Sequence, residues 1–355
     1  MSLRKPSVRH GLAAFVVAAL LGVMHPASAA DLEGAGSTFV TPVMKAWAEA
    51  YKAKTGLEVD YQSVGSGAGI DKVNAREVDF GATDKPLPSE ELAKHGLSQF
   101  PIVIGGVTPV ANIPGIPPGQ LRFSGELLAN IFLGKVTAWD SPEVKALNPD
   151  VALPHLPISV IYRSDSSGTT YNWTDFLAKA SPAWKNKIGV GLTVHWPTGQ
   201  GGEGNAGVAA LVKRTPGAAG YVEYAYATQE GLTFGQVQNT YGLFIAPNID
   251  SFQDAAATVR WQDHKDFDAL LTSAGGPAAY PITATTFILL PRSPRDAARA
   301  TKALQFFKWV LEDGDRHASA LNYAALPPRL VVLIKSYWKS SALPGVAALQ
   351  SRTPQ

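Results

Sequence analysis

The chain of 355 residues contains no cysteine. That excludes disulfide staples, and it excludes a lipid anchor on an N-terminal cysteine. Stability must then come from core size, and a chain of this length can bury a large core in two domains. Histidine is scarce: there are seven, with no H-E-x-x-H and no clustered ligand spacing. There is no G-x-S-x-G elbow, no P-loop and no repeat of fixed period. The eight Trp and eleven Tyr are dispersed without interleaved basic residues, a pattern of core and rim and not of a base-stacking platform.

No apolar run is long enough to span a bilayer, and the N-terminal one reads as a processing signal. Arg4, Lys5 and Arg9 form a basic n-region, Gly11 to Met24 is a short apolar stretch, and Ala27-Ser28-Ala29 is an A-x-A cleavage site. This predicts a secretory signal peptide over residues 1–29, cleaved near Ala29/Ala30, and a soluble periplasmic protein. Export also changes the charge. The leader holds three of the 31 basic residues and none of the 29 acidic ones, so the mature chain carries −1 (28 basic, 29 acidic). The apparent basicity belongs to the leader, and the nucleic-acid reading loses its main support.

Strand and helix signals alternate along the mature chain, which predicts α/β layers. Thr41-Pro42 reads as an N-cap and first helical residue, with the helix stopping near Gly56. Strands are predicted over 57–61, 78–82, 101–110, 158–162, 220–226 and 285–290. Helices are predicted from Ile70, from the cap Ser124 to Leu133, over 171–178, over 207–214 and from Arg295 to Asp313.

Three short Gly/Ser/Thr-rich turns sit at helix starts: G-A-G-S-T-F (34–39), V-G-S-G-A-G-I (64–70) and R-S-D-S-S-G-T-T (163–170). Unpaired N–H donors and the positive dipole end make a helix N-terminus an anion site. Each of the first two turns alone is no more than a glycine turn or a helix cap. The third is stronger, because Arg163 leaves a buried strand with an always-charged fork and Asp165 stands two residues on to hold it. Ser167, Gly168 and Thr169 then supply first-turn N–H groups. In D-F-G-A-T-D, Asp84 follows a strand, at the sheet edge where open α/β sheets bind ligands, although a lone Asp there is more often a cap or ion pair. Gly199 to Gly204 matches G-x-G-x-x-G, with Glu223 about twenty residues on. Pro197 and Thr198 intervene after the apolar stretch, and a mobile loop near a cleft is the better reading than a dinucleotide site.

Together these motifs, with Y-Q-S-V-G-S-G-A-G-I, F-P-I-V-I-G-G-V and P-I-T-A-T-T-F-I-L, resemble the periplasmic phosphate-binding proteins of bacterial ABC transporters, the PstS family. The resemblance runs from about Asp31 to Trp338. It implies a two-lobed periplasmic binding protein fold of α/β class, with phosphate held between the lobes. Lobe I would take 30–103 plus 283–345 and lobe II 104–282, with hinge strands at Val103–Val107 and Ile282–Thr286. The ligand residues it implies are Thr38, Phe39, Ser66, Asp84, Arg163, Ser167, Gly168 and Thr169, with Asp165 orienting Arg163. It further implies a monomeric binding protein and not an enzyme, without metal or cofactor, whose partners are inorganic phosphate and the permease and ATPase subunits of a transporter. A protein for another oxyanion and an exported phosphohydrolase are the alternatives. Two departures from the family pattern bear on the site: Lys85, expected to raise the cleft potential or pair with Asp84, and Ser166, expected to strain its loop if a positive φ is required there.

Overall fold

The computed structural model describes residues 1–2, 30–341 and 343–347. The predicted signal peptide lies almost wholly outside them. No helix among the described residues is long and apolar enough to cross a membrane.

Among the described residues, eleven strands form one continuous curled sheet. They are β1 (Leu32–Gly36), β2 (Val59–Ser63), β3 (Phe80–Thr83), β4 (Leu97–Ala111), β5 (Leu121–Phe123), β6 (Ser159–Arg163), β7 (Gln200–Gly202), β8 (Ala218–Glu223), β9 (Thr233–Gln238), β10 (Phe244–Ile245) and β11 (Thr283–Pro291). The spatial order is β2-β1-β3-β11-β4-β8-β6-β7, with β9 joining β4, β5 and β10. β1 runs parallel to β2 and β3, and β6 runs parallel to β7 and β8. Each parallel pair is joined through a helix, as right-handed crossovers require.

β4 ties the two halves together. It is buried along all 15 residues. Leu97 to Gly106 pairs with β11, and Val107 to Ala111 pairs with β8. The pairing passes from one half of the sheet to the other between Gly106 and Val107, where the Val107 N–H turns to the Ile282 carbonyl at 2.9 Å. β4 begins four residues earlier than its apolar run predicts. Ser98 and Gln99 disguise the start, yet both are buried, and Gln99 is satisfied by Leu87 and by the Asp266 carbonyl.

Both ends of the described chain pack on the first half. Phe307, on the helix Ala297–Asp313, meets Phe80 edge-on at 4.9 Å and Phe100 at 5.8 Å. Trp338, on the C-terminal helix Pro328–Ser340, meets Phe100 at 5.0 Å. Fully burying each such side chain contributes roughly 1.5–3 kcal/mol. The second half has its own aromatic core, in which Trp173 stacks on Tyr221 at 4.9 Å and Phe132 abuts both.

Four helices start just after strand ends and point into the same region: Thr41–Thr55, Ser66–Asn74, Gly168–Ala180 and Gly204–Arg214. Three of them begin three or four residues before the first position expected. Sequence periodicity registers only where apolar residues begin, whereas small polar residues occupy the first turn. Val40 and not Thr41 is the N-cap of the first helix, and the Thr41 hydroxyl instead meets Ser63 Oγ at 2.6 Å. Residues 199–204 are not a free loop: they form β7 and the start of the helix Gly204–Arg214.

Candidate functional site

The turn 36–39 is fixed by its carbonyls. Three tyrosine hydroxyls donate to three successive carbonyl oxygens: Tyr61 to Ser37 at 2.9 Å, Tyr226 to Thr38 at 2.7 Å and Tyr323 to Phe39 at 2.7 Å. The three come from β2, from the second half, and from the segment before the C-terminal helix. With its acceptors held on one side, the turn is rigid at the point where the helix Thr41–Thr55 begins. Gly36 is required here: its φ is 143°, and a Cβ would lie 2.0 Å from the Ala82 carbonyl oxygen.

Asp84 sits at the end of β3 and is only 1% exposed. Ser37 Oγ donates to its Oδ2 at 2.6 Å and Thr286 Oγ1 to its Oδ1 at 2.7 Å. Its own N–H donates to Ser66 Oγ at 3.2 Å, and Asn172 Nδ2 holds its carbonyl at 2.8 Å. Burial pushes its carboxyl up to about 6, against the pull of the Ser37 and Thr286 hydroxyls and the Arg163 charge. Lys85 does not pair with this carboxyl: its ammonium lies over the Tyr171 ring, 5.9 Å from the centroid.

Arg163 ends β6 and is 3% exposed. Its Nε donates to Asp165 Oδ1 at 2.7 Å, its Nη2 donates to Asp165 Oδ2, and its Nη1 donates to Thr169 Oγ1 at 3.2 Å. Three of its five N–H donors are thereby used and two are left for an oxyanion. Burial alone would raise the Asp165 carboxyl, but Arg163 and the Gly204 N–H hold it below the ordinary carboxylate value. The Gly204 N–H donates to Asp165 Oδ1 at 3.0 Å. The amide of the last glycine of the fingerprint, which opens the helix, is thus taken by the protein's own carboxylate, and Glu223 is fully buried, so neither is offered to a dinucleotide.

The helix Gly168–Ala180 is capped by Ser167, whose hydroxyl accepts the Thr170 N–H at 3.0 Å. The Ser167 N–H, expected to be free, donates to the Leu192 carbonyl at 2.9 Å. Ser167 serves the site as a cap, and the first-turn amides are those of Gly168 and Thr169. Gly168 is an approach point, since a Cβ there would lie 2.4 Å from Ser66 Oγ and 2.6 Å from Asp84 Oδ2. Ser166 has no positive φ. Its carbonyl accepts the Gly67 N–H at 3.0 Å across the two halves, so the strain expected of it is absent.

The structure brings Thr38, Phe39, Ser66, Asp84, Arg163, Ser167, Gly168 and Thr169 into one connected, buried network, with Asp165 on Arg163. Sequence reasoning missed Ser37, Asn172, Asn205, Thr286 and the three tyrosines. Asn205 is the main omission. It is buried, and its Nδ2 donates to Thr38 Oγ1 at 2.7 Å and to Thr169 Oγ1 at 3.2 Å. A cavity of about 240 Å³ opens over this network, walled by Thr38, Asp165, Asn205 and Tyr226. A larger one of about 340 Å³, between the helix Thr41–Thr55 and β2, contains none of the candidate residues. Among the described residues no group of three His, Asp or Glu side chains is placed to hold a metal.

The family model for the PBP superfamily domain matches residues 24–313. The phosphate-binding protein PstS of Xylella fastidiosa is 47% identical over 309 residues, covering 87% of this chain and 85% of that one. The chain belongs to the PstS family of phosphate-binding proteins. The PstS of Haemophilus influenzae is 46% identical, covering 90% of this chain and 96% of that one. Among solved structures, the phosphate-bound periplasmic phosphate-binding protein PfluDING superposes with a TM-score of 0.74 at 20% identity, covering 92% of this chain and 99% of that one. At that identity the likeness establishes the fold: two lobes of α/β class, the periplasmic binding protein arrangement.

Proposed function

We propose that this chain captures inorganic phosphate between its two lobes and delivers it to an ABC transporter. The observation that carries this reading is the buried Asp84 carboxyl in the same donor set as Arg163. An anion site that contains a carboxylate suits an anion that brings a proton. Phosphate at neutral pH still carries one and donates it to Asp84. The remaining oxygens take the Arg163 fork, the hydroxyls of Thr38, Ser66 and Thr169, and the N–H groups of Gly168 and Thr169; the Phe39 N–H, expected to be a free donor, donates to Ser37 Oγ at 3.0 Å in this structure and must turn from it to reach the ion. Ser167 holds the helix whose positive end faces the ion.

The lobes are residues 30–103 plus 283–345 and residues 104–282. The hinge is Val103–Val107 with Ile282–Thr286, where β4 changes partners. Bending there separates Thr38 from Asn205 and Gly67 from Ser166, and bound phosphate favours the closed form by adding contacts from both sides. The protein acts as a monomer in the periplasm after loss of residues 1–29, and its partners are the permease and ATPase subunits of the transporter.

The role is binding and not hydrolysis. Among the described residues, none of the hydroxyls of Ser37, Ser66, Ser167 and Thr169 has a histidine as a hydrogen-bond partner to activate it. The test is equilibrium dialysis of ligand-stripped protein against labelled phosphate, joined to small-angle scattering. One phosphate per chain and a smaller radius of gyration on binding are expected. Absence of saturable binding, or turnover of nitrophenyl phosphate, overturns the reading.

A further inference from the structure

Behind the phosphate-facing turn lies a carboxyl that the binding scheme does not use. Glu223 ends β8 in the second lobe and is fully buried. Its Oε2 is 2.9 Å from Tyr323 Oη and accepts the Ala225 N–H at 2.8 Å. Its Oε1 has no hydrogen-bond partner among the described residues. Phe39 and Glu223 flank the same point of β4, because a Cβ on Gly105 would lie 2.8 Å from the Phe39 ring and 3.2 Å from Glu223 Oε1.

The proton count at Tyr323 decides the state of this carboxyl. Tyr323 Oη lies 2.7 Å from the Phe39 carbonyl oxygen, which can only accept. The single phenolic proton is therefore committed to Phe39. The remaining contact, Tyr323 Oη to Glu223 Oε2, is between two lone-pair oxygens unless Glu223 brings the hydrogen. A carboxylic acid does so: Oε2–H donates to Tyr323, and its other lone pair receives the Ala225 N–H. A carboxylate would leave Oε1 charged, buried and unpaired, which is very costly.

We propose that Glu223 is a neutral acid and a positioning residue, which holds the phosphate-binding turn through the relay Glu223–Tyr323–Phe39. Burial opposes its ionisation most, and the like charge of Asp84 adds to this, against the pull of the Tyr323 hydroxyl and the Ala225 and Tyr224 amides. Tyr224 and Tyr226, on the adjoining helix, are themselves pushed up by burial and by Glu223. A charge at 223 would also add a second carboxylate behind an anion site. The relay joins lobe II to the lobe I turn, so the Phe39 carbonyl is held through a contact that crosses between the lobes. The inference rests on the phosphate reading above.

Infrared spectroscopy and phosphate titration of the full chain test it together. At pH 7 the parent should show the C=O stretch of a protonated carboxylic acid. That band should disappear in Glu223→Gln and persist in Asp84→Asn. Glu223→Gln keeps a neutral donor of the same shape and should bind phosphate within about threefold of the parent. Glu223→Ala and Tyr323→Phe should each bind about tenfold or more weakly, from the loss of one to two net hydrogen bonds. If the acid band is unaffected by Glu223→Gln, or if the Gln variant binds as weakly as the Ala variant, the proposal is wrong. If the parent itself binds no phosphate, the phosphate reading fails, while the infrared comparison still decides the protonation of Glu223.

Discussion

The side-chain amide of Asn205 donates to the hydroxyl oxygen of Thr38 at 2.7 Å, joining residues 167 positions apart in the chain. The Asn205 backbone N–H reaches the same oxygen at 3.1 Å. Thr38 Oγ1 therefore already receives two donors from lobe II, and its own proton is free to point at an anion. In the proposed scheme Asn205 would clasp the closed form as well as orient the Thr38 hydroxyl.

Asn205→Ala removes the amide bonds to Thr38 and Thr169 and leaves the Glu223 N–H without its 2.9 Å acceptor. At about 1 kcal/mol net for each neutral bond, phosphate affinity should fall roughly tenfold. The phosphate-free protein should also show a larger radius of gyration by scattering. Unchanged affinity would show that the clasp does not contribute to binding.

Asp84 makes stability depend on pH in a defined direction. Its carboxyl rises from 3.8 to about 6 in the folded protein. A raised folded value means that the native state holds the proton more tightly than the unfolded state. The stabilisation is fully present below about pH 4 and is lost as pH rises through about 6. A shift of two units corresponds to about 3 kcal/mol. In phosphate-free protein, denaturant midpoints for the parent should decline relative to Asp84→Asn as pH is raised from 4 to 7. Parallel curves for the two proteins would contradict this.

Gly168→Ala should separate folding from binding. Alanine suits the first turn of a helix, but its Cβ would lie 2.4 Å from Ser66 Oγ. Under the proposed hinge motion the clash exists only when the lobes meet. Overpacking of this kind costs about 1–3 kcal/mol, so phosphate affinity should drop about 5- to 100-fold. Thermal stability of the phosphate-free protein should hardly move. A fall in thermal stability with affinity retained would place the glycine's role in folding and not in closure.

The sequence marked many of the residues that the structure brings together, and for a physical reason. Helix starts announce themselves through Gly, Ser and Thr, as at Thr38, Ser66 and Gly168. Arg163 and Asp165 were legible because they are two residues apart. What supports them is distant in the chain: Tyr226 is 188 residues from Thr38, Thr286 is 202 from Asp84 and Tyr323 is 284 from Phe39. No local pattern marks such partners, and the dispersed tyrosines looked like ordinary core. Asn205 lay between a stretch read as a glycine fingerprint and then as a loop (199–204) and the expected helix start at Gly207, which hid its place on a helix facing Thr38. The α/β class followed from periodicity, and so did β4 from residue 101, whereas its first four residues did not, because a buried Ser98 and Gln99 broke the apolar run.

Competition between phosphate and sulfate at pH 8, in the parent and in Asp84→Ala, tests the central claim most directly. Sulfate has no proton to offer, so it meets the ionised Asp84 lone pair against lone pair. A site that requires such a buried hydrogen bond rejects an analogue lacking it by about 10⁴–10⁵-fold. The parent should bind phosphate and exclude sulfate, and the variant should lose most of that discrimination. In the parent, sulfate should begin to compete as pH falls through about 6, where Asp84 takes up a proton and becomes a donor. Full discrimination retained by Asp84→Ala would contradict the account, whatever the affinity for phosphate.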